Sequence, residues 1–321
     1  MSQSEFFDVV VLGSGVAGLA AARRATAAGL SVCVVDKGRR IGGRVSTKRA
    51  DGFTFNHGAQ FLTARDPGFI EDCAAAIDAS ALADWHVAGR DAFCGAPTMR
   101  DFPAFLGEGL DVRQSFEVSS ITRGVDAGPA LHFTTADGTS VAGRRAVITA
   151  PAPQTAKLLS EIAPELATSA AAAEYAPCWT AMYGFDETQV PSHAQPYRGD
   201  SGPVGWAVWE AHRPTGTGGA LTVQAAPDWS AEHLEEDAQS VAEAMLSAYL
   251  VIAGLAPGEP RYIAAHRWRY ARVIRPAPAD ASLVSQQGDI AIAGDWVKGA
   301  RVEDAFLSGR SAMDMLLASA T

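Results

Sequence analysis

The sequence predicts an α/β fold, in which a doubly wound nucleotide-binding domain carries a second, mixed α+β domain as insertions. One observation is the order of elements near the N-terminus. Phe6–Leu12 and Leu30–Val35 are typical of buried parallel strands, and the Ala-rich helical stretch Ala17–Ala28 joins them. The other observation is a short apolar strand, Asp289–Ala293, followed by a helical stretch, Val302–Ala318. Because such elements stand near both ends of the sequence, we expect the nucleotide-binding domain to be discontinuous.

The middle of the sequence mixes strands and helices without an internal repeat. Val112–Ile121, Ala130–Thr135 and Val141–Thr149 are predicted strands, and Asp137-Gly138 predicts a hairpin turn between two of them. Glu232–Ala253 is the longest helical pattern. The predicted nucleotide-binding domain comprises 1–66, 112–160 and 284–321, and the predicted substrate domain comprises 67–111 and 161–283.

Composition and charge narrow the class of protein. The 321 residues are 48% hydrophobic and 19% charged, which is the balance of a globular chain. The net charge of −10 gives no support for binding nucleic acid or an anionic membrane, since phosphates attract a positive surface. The longest uncharged apolar run, Met245–Ala256, is too short to span a bilayer, and Met1–Asp8 lacks the basic segment of a signal peptide. The four cysteines have no metal-like spacing, so we expect reduced thiols, no metal site and a cytoplasmic protein.

A glycine-rich turn follows the first predicted strand and opens the first helix. Its Gly-x-Gly-x-x-Gly pattern allows a tight turn, a close approach of pyrophosphate to the backbone, and close packing of helix on strand. The N–H groups at the start of the helix suit phosphate oxygens. Asp36 ends the second strand, where a carboxylate can accept from ribose hydroxyls. The predicted pyrophosphate site comprises Gly13, Gly15, Val16, Ala17 and Gly18.

A Gly-Gly-Arg turn follows Asp36. The run from Asp36 through Gly42-Gly43-Arg44 resembles the flavoprotein family that contains amine oxidases, protoporphyrinogen oxidase, phytoene desaturase and renalase. This resemblance implies FAD and a Rossmann-type domain of the glutathione-reductase-like, amine-oxidase type. It also places the turn along the FAD pyrophosphate, where Arg44 offers a planar donor fork.

The end of the sequence also resembles that family. Ala146–Pro151 is similar to the strand that crosses back near the cofactor, and Gly294-Asp295 is similar to the C-terminal flavin motif. The resemblance implies that Asp295 bonds the ribityl or pyrophosphate region, and that the helix starting near Val302 points its N-terminus at the flavin N1/C2=O edge. No cysteine lies near this motif, so we expect non-covalent FAD. The further predicted cofactor contacts are Lys37, Gly43, Arg44, Gly58, Ala59, Gln60, Val118, Ala150, Gly294, Asp295, Arg301, Val302 and Glu303.

Within the family the sequence most resembles the bacterial renalase-like proteins. Gly58-Ala59-Gln60 and His266-Arg267-Trp268 carry this narrower resemblance. It implies an oxidase of isomeric dihydronicotinamides, 2- or 6-dihydro-NAD(P), which passes hydride to flavin N5 and then electrons to oxygen, forming hydrogen peroxide. Such chemistry depends mainly on holding two flat rings face to face. The expected partners are therefore a dinucleotide substrate and oxygen, and the oligomeric state is not predicted.

Two sets of residues are predicted to act on the substrate. Arg267 and Arg269 share one face of a strand, where they could meet substrate phosphates, and His57 and His266 are candidate acid–base groups. The strand Trp179–Phe185 lacks the lysine that many amine oxidases carry near flavin N5. Oxidation of a small amine and a non-catalytic binding role remain alternatives. The predicted catalytic residues are Gln60, Trp268, Tyr270 and Trp296, and the predicted substrate contacts are Thr63, Arg65, Arg267 and Arg269.

Overall fold

The computed structural model describes residues 5–124, 130–192 and 195–319. The strands there are β1 (Glu5–Leu12), β2 (Val32–Val35), β3 (Lys48–Ala50), β4 (Phe53–Phe55), β5 (Leu82–Val87), β6 (Arg90–Gly95), β7 (Asp111–Arg113), β8 (Val118–Gly124), β9 (Ala130–Thr135), β10 (Ser140–Ile148), β11 (Glu174–Gly184), β12 (Tyr197–Arg198), β13 (Trp206–Trp209), β14 (Ala220–Gln224), β15 (Tyr262–Arg275) and β16 (Ile290–Ile292). The helices are α1 (Val16–Ala27), α2 (Pro67–Asp78), α3 (Asp101–Leu106), α4 (Ala152–Leu159), α5 (Pro164–Ala171), α6 (Pro227–Glu232), α7 (Ala238–Ala253), α8 (Asp295–Lys298) and α9 (Val302–Ala318), with 3₁₀ helices at Glu187–Gln189 and Glu210–His212. Over these described ranges, every helix is too short or too polar to cross a membrane.

The chain divides into two compact units, each with its own sheet. Unit 1 combines Met1–Gly43, Pro103–Glu174 and Val273–Thr321. Unit 2 combines Arg44–Phe102 and Tyr175–Arg272. The chain therefore passes between the units at four places, and each unit is built from segments that are distant in sequence.

Unit 1 contains a seven-stranded sheet in which β7, β2, β1 and β10 run parallel in that order. The strand β10 then pairs antiparallel with β9 over its first half and parallel with β16 over its second half. The strand β8 closes the edge beyond β9. This parallel sheet confirms the predicted Rossmann-type α/β fold.

The parallel strands of unit 1 end in register. Leu12 pairs with Val35 on one side and with Ile148 on the other. Val35 in turn pairs with Arg113, and Ile148 pairs with Ile292. The residues that follow these five strands therefore lie along one edge of the sheet, which is where ligands bind in folds of this class.

Helices α1 and α9 pack closely against each other in unit 1. A Cβ built at Gly309 of α9 would overlap the carbonyl oxygen of Ala17 in α1. The predicted final helix, Val302–Ala318, is confirmed with the same bounds. The helix α1, which follows the glycine-rich turn, thus packs against a helix from the far end of the sequence.

Unit 2 contains a five-stranded sheet in the order β12, β13, β14, β11 and β15. Its core includes Tyr183 and Trp209, which are almost fully buried, and it packs against Met245 of α7. Tyr183 Oη donates to the carbonyl oxygen of Ala242, 2.6 Å away, which joins α7 to the sheet.

Two predicted elements are each divided in the structure. The predicted strand Val112–Ile121 is split between β7 and β8, because the chain between them leaves the sheet: Ser115 N donates to Gly38 O, and Phe116 N donates to Asp36 O. Of the predicted helix Glu232–Ala253, only Glu232 lies in α6, and the helical part that remains is α7. Asp237 starts α7 as its N-cap by accepting from the backbone of Gln239 and Ser240.

The segment 44–66 lies in unit 2, whereas the sequence analysis grouped it with the nucleotide-binding domain. The physical reason is the hairpin formed by β3 and β4. Phe55 is fully buried with Met182 and Ala220 of the unit 2 sheet. The burial of Phe55 fixes the hairpin on the unit 2 sheet. This contact joins residues far apart in sequence, so no local pattern predicts it.

Candidate functional site

A tight turn follows β1 in unit 1. Gly13 has a φ of +111°, which L side chains rarely adopt, and a Cβ there would overlap the hydroxyl oxygen of Thr149. A Cβ at Gly18 would overlap the Gly13 carbonyl oxygen. Both glycines are therefore required by close packing of the turn itself.

Gly15 differs from these two glycines. A Cβ built at Gly15 meets nothing within 4 Å. The helix α1 begins at Val16 with no capping side chain and no acidic residue in its first turn, which contains Ala17 and Gly18. Because first-turn N–H groups have no acceptor within a helix, α1 directs donors at the space beside Gly15, and this arrangement suits a pyrophosphate.

Asp36 follows β2 along the same edge. Its Oδ2 accepts from Ser14 N and its Oδ1 accepts from Gly38 N, both at 2.6 Å. Each oxygen keeps a further acceptor position for a ribose hydroxyl, because a carboxylate oxygen has two lone pairs. Lys37 is exposed beside it. The ribose contact predicted for Asp36 stays a prediction. The carboxylate also holds the backbone of Ser14 and Gly38, and this structural role was not predicted.

The Gly42-Gly43 turn lies against the glycine-rich turn. Gly42 N donates to Ser14 O at 3.0 Å, and Gly42 forms an isolated β-bridge with Gly15. A Cβ at Gly43 would lie 3.4 Å from Gly15 Cα. The two glycine motifs, separate in sequence, are thus brought together at the space that a pyrophosphate would occupy.

Two side chains at this edge were missed by sequence reasoning. Thr149, after β10, donates through its hydroxyl to the carbonyl oxygens of Leu12 and Gly13, at 2.9 and 3.3 Å. Gln114, after β7, donates to Ser14 Oγ at 3.0 Å, while its buried Oε1 has no partner within the described residues. An unsatisfied buried acceptor is costly, so this atom fits a donor on the ribose or adenine of a bound dinucleotide. Thr149 lies within Ala146–Pro151, but no role was predicted for its side chain, and Gln114 belongs to no motif named above.

Val118 and Ala150 were also predicted to contact the cofactor. Val118 begins β8, two residues after the Phe116 N–H that donates to Asp36 O. Ala150 follows β10, and its carbonyl oxygen accepts from Thr155 Oγ1 at 2.9 Å. Both residues therefore lie close in sequence to the ligand edge of the sheet.

The C-terminal motif lies at the end of β16. Gly294 N donates to Ser308 Oγ at 2.9 Å, and the buried Asp295 accepts from Trp296 N at 2.9 Å. The helix α9 starts at Val302 as predicted, and Glu303 in its first turn is buried.

The N-terminus of α9 already has a protein acceptor. Arg301 N donates to Asp304 Oδ2 at 3.0 Å. Asp304 and Glu303 place two acidic residues in the first turn. These carboxylates offset the positive helix end that the resemblance directs at the flavin.

Trp296 was predicted to be catalytic, but its ring lies in the core. Its side chain is fully buried in unit 1, and its Nε1 donates to Ala150 O at 3.2 Å. Its carbonyl oxygen accepts from Ala277 N. Trp296 is therefore a core residue that fixes the end of β10, and its full burial argues against the catalytic role predicted for it.

Arg44, the first residue of unit 2, is held along β15. Its Nη1 lies 3.3 Å from the carbonyl oxygens of both Tyr270 and Ala271, and its guanidinium lies over the ring of Tyr175. Tyr270 meets Tyr175 edge-on at 5.6 Å between ring centroids. These contacts fix the arginine and Tyr270 together; the phosphate contact of Arg44 stays a prediction.

The predicted flavin segment Gly58-Ala59-Gln60 packs on Arg44. Ala59 N donates to Arg44 O at 2.9 Å, and a Cβ at Gly58 would overlap that oxygen. Gln60 is buried and fully hydrogen-bonded: Nε2 donates to Asn56 O and Gly58 O, while Oε1 accepts from Trp206 and Arg213. The side chain has no remaining donor or lone pair, which argues against the catalytic role predicted for it.

Three rings form a cluster on one face of β15. His57 stacks on Trp268 at 5.4 Å and 28°, and His266 meets both rings edge-on. Trp268 Nε1 donates to His57 O at 2.9 Å. Burial, followed by the charge of neighbouring cations, lowers the pKa of His57 from 6.5 to about 3. Loss of water and the charge of Lys48 also lower the pKa of His266. We call His57, His266 and Trp268 the ring cluster.

The predicted phosphate-binding arginines share one carboxylate. Arg269 makes a bidentate contact with Glu235 at 2.7 and 3.0 Å, and Arg267 contacts Glu235 Oε2 at 2.8 Å. Hydrogen bonds from Arg269 in particular hold the pKa of Glu235 below its usual range. The other two predicted substrate contacts lie before α2, where Thr63 is half-buried and Arg65 is exposed.

Comparisons with known proteins agree with the geometry. The family described as NAD(P)-binding Rossmann-like domain matches residues 11–72, and the family described as flavin containing amine oxidoreductase matches residues 68–316. A putrescine oxidase of Kocuria rosea is 46% identical over 56 residues, and a 4,4'-diapophytoene desaturase (4,4'-diaponeurosporene-forming) of Staphylococcus haemolyticus is 43% identical over 58 residues. The putrescine oxidase match covers 17% of this chain and the desaturase match covers 18%, and each covers 12% of the relative.

Solved structures resemble this chain over nearly its whole length. Wild-type putrescine oxidase bound to putrescine has a TM-score of 0.73 at 13% identity, covering 98% of this chain and 100% of that one. A putative protoporphyrinogen oxidase from Exiguobacterium sp. 255-15 has a TM-score of 0.71 at 16% identity, with 98% of each chain covered. Cyclohexylamine oxidase from Brevibacterium oxydans has a TM-score of 0.69 at 14% identity, covering 97% of this chain and 98% of that one. At such identities these likenesses show the fold.

Proposed function

The chain belongs to the flavin containing amine oxidoreductase family, and from that premise we propose that it is an FAD-dependent oxidase of isomeric dihydronicotinamide dinucleotides. The substrates are 2- or 6-dihydro-NAD(P). Bound FAD would accept the hydride, and oxygen would then take the electron pair. The balance is one dihydro-NAD(P), one oxygen and one proton giving one NAD(P)⁺ and one hydrogen peroxide.

The cofactor part of the proposal is supported by the ligand edge of unit 1. The α1 N-terminus beside Gly15, the acceptors of Asp36 and the unpaired Oε1 of Gln114 offer donors to phosphates and acceptors to sugar and base. The Gly42-Gly43 turn borders the same space. We propose non-covalent attachment, because the C-terminal motif carries no cysteine.

The ring cluster is the observation that carries the substrate proposal. Because the pKa of His57 is lowered to about 3, its imidazole stays neutral and is a very weak base at neutral pH. A dihydropyridine becomes aromatic when it loses hydride and requires no base, whereas an ammonium substrate must first lose a proton. Trp268 is half-buried, and His57 stacks on its ring, so the neutral ring of Trp268 favours a substrate that is positioned by ring contact.

The arginine pair is a separate support, because Arg267 and Arg269 alternate with His266 and Trp268 along β15 and therefore lie on the opposite face of the strand from the ring cluster. Arg267 and Arg269 are 32% and 44% exposed, and their shared partner Glu235 is 69% exposed. Exposed ion pairs of this kind contribute little to stability, so phosphates of a dinucleotide could replace Glu235 at low cost. A simple amine carries no group that would compete with this carboxylate.

Oxidation of a small amine is the second candidate function. The observation in its favour is the likeness to putrescine oxidase and cyclohexylamine oxidase over almost all of this chain. Against it stands the strand β11, where Trp179–Gly184 contains no lysine.

The deciding experiment is anaerobic stopped-flow mixing of the purified holoprotein with a panel of donors. We expect flavin absorbance to bleach rapidly with 2- or 6-dihydro-NAD(P), slowly with ordinary NAD(P)H, and very slowly with putrescine or cyclohexylamine. Readmitted oxygen should restore the oxidised spectrum and yield one hydrogen peroxide per donor. Rapid bleaching by an amine, with none by the dihydronicotinamide isomers, would overturn the proposal in favour of amine oxidation.

A further inference from the structure

The segment Asn56–Gln60 in unit 2 follows β4, bends at Gly58 and belongs to no strand. Side chains bind its carbonyl oxygens instead. Trp268 donates to His57 O at 2.9 Å, Gln224 donates to Gly58 O at 2.8 Å, and Arg213 donates to Gln60 O at 2.7 Å. The conformation of this segment is therefore set by side chains from three separate parts of unit 2.

A buried ion pair holds both ends of the segment. The side chains of Glu210 and Arg213 are only 4% and 3% exposed, and Arg213 Nε lies 2.7 Å from Glu210 Oε2. Glu210 accepts from Asn56 N at 3.0 Å and from Asn56 Nδ2 at 2.8 Å. Arg213 donates to the carbonyl and amide oxygens of Gln60 at 2.7 and 2.5 Å. The carboxylate thus fixes the start of the segment, and the guanidinium fixes its end.

The pair has two further contacts. Thr222 Oγ1 donates to Glu210 Oε1 at 2.8 Å, and the guanidinium lies over the ring of Trp85. Removing two charges from water is costly, and well-packed apolar residues often serve stability as well or better. What the ion pair supplies beyond stability is a defined geometry for the backbone between Asn56 and Gln60.

We propose that Glu210 and Arg213 are positioning residues for the cofactor, which hold Gly58-Ala59-Gln60 in the conformation that contacts the flavin. The proposal rests on the proposed function and on the flavin contact predicted for that segment. Two contacts support it: Ala59 N donates to Arg44 O, and Gly58 packs on the same oxygen. Arg44 directly follows the Gly42-Gly43 turn, which borders the pyrophosphate site. A shift of the segment would therefore alter its contacts with Arg44, and the proposal expects a changed flavin environment as the result.

The test is the substitution Arg213→Lys in the holoprotein. Lysine keeps the charge opposite Glu210 but lacks the fork that reaches both oxygens of Gln60. We expect a melting temperature close to that of the wild type, FAD release about tenfold faster, and a changed visible circular dichroism spectrum of the bound flavin. The matched control is Arg261→Lys, which alters an exposed ion pair with Asp186 in the same unit. It should change neither the rate of FAD release nor the circular dichroism of the flavin.

A second variant keeps the test decisive if Arg213→Lys fails to fold. The double substitution Glu210→Gln with Arg213→Met removes both charges together, so no charge is left buried without a partner. We expect this variant to fold and also to release FAD faster than the wild type. Wild-type release and spectrum in either folded variant would overturn the proposal, as would a lowered melting temperature with unchanged flavin behaviour. No substrate is needed for these readouts, so failure of the substrate assignment would not alter their outcome.

Discussion

The backbone N–H of Ser14 lies 2.6 Å from Asp36 Oδ2, so a carboxylate at the end of β2 holds the turn that follows β1. The other carboxylate oxygen holds Gly38 N at the same distance. Asp36 therefore shapes the glycine-rich turn before any ligand arrives, and it remains able to accept from a ribose.

Replacing Asp36 with alanine is expected to weaken FAD binding and to lower stability moderately, without abolishing the fold. A charge-assisted hydrogen bond contributes about 1.5–3 kcal/mol, which corresponds to about one to two decades in affinity. Flavin fluorescence would give the dissociation constant, and Asp314→Ala, at a surface pair with Arg24, is the control. An unchanged dissociation constant would show that Asp36 does not contact the ribose.

The substitutions Gly15→Val and Gly18→Ala are expected to fail for different reasons. A side chain at Gly15 meets no protein atom near its Cβ but occupies the pyrophosphate space, so the protein should fold and lose FAD. A methyl at Gly18 overlaps the Gly13 carbonyl oxygen, so the fold itself should be destabilised. Thermal melting and flavin content separate the two outcomes. Full flavin occupancy in a folded Gly15→Val protein would remove this turn from the cofactor site.

The neutral state of His57 predicts a pH dependence of stability. Its pKa is about 3 in the folded protein and near 6.5 when unfolded, so between these values the unfolded chain binds the extra proton. The contribution of His57 is therefore fully present above pH 6.5 and is lost as the pH falls toward 3. Denaturant unfolding at pH 5 and pH 7.5 should show a smaller loss for His57→Phe than for the wild type. Equal losses in the two proteins would contradict the lowered pKa.

The shared carboxylate of Glu235 predicts opposite effects for two substitutions. If substrate phosphates replace Glu235, Arg269→Ala should raise the substrate dissociation constant, whereas Glu235→Gln should lower it. The limiting rate of flavin reduction should change little in both, because a contact far from the reacting ring acts equally on the ground and transition states. Stopped-flow reduction over a range of substrate concentrations measures both quantities. Equal dissociation constants in all three proteins would remove these arginines from the substrate site.

Non-covalent attachment predicts that denaturation releases all of the flavin. The precipitated polypeptide should be colourless, and the supernatant should contain FAD as judged by chromatography against authentic standards. Yellow colour that remains with the polypeptide would show a covalent link.

The sequence predicted most reliably those parts of the fold that depend on local pattern. The succession β1, α1, β2 and the helix α9 were predicted because each combines a regular apolar period with glycine signals. The break between β7 and β8 was not predicted. It depends on the hydrogen bond from Phe116 N to Asp36 O, which joins residues far apart in the sequence.

In the candidate site, too, residues set by a local pattern were predicted, and residues set by tertiary contacts were not. The glycine turns were found because backbone geometry limits their residue type, whereas Glu210 and Arg213 follow no motif and gain their meaning only from burial. The burial of Trp296 was not predicted, because its place beside a flavin motif says nothing about which way the ring points. The pairing of Arg269 with Glu235 is likewise a tertiary contact between residues without a shared local pattern.

The contact between Gly309 and Ala17 has a consequence for biosynthesis. The helix α1, which presents the phosphate donors, packs against Gly309, and the ribosome adds this glycine almost three hundred residues later. Until then, β10 also lacks its parallel partner β16, and part of its edge is unpaired. Cofactor capture therefore requires that α9 has been synthesised, and a nascent chain stalled before α9 should be an aggregation-prone species that holds no flavin.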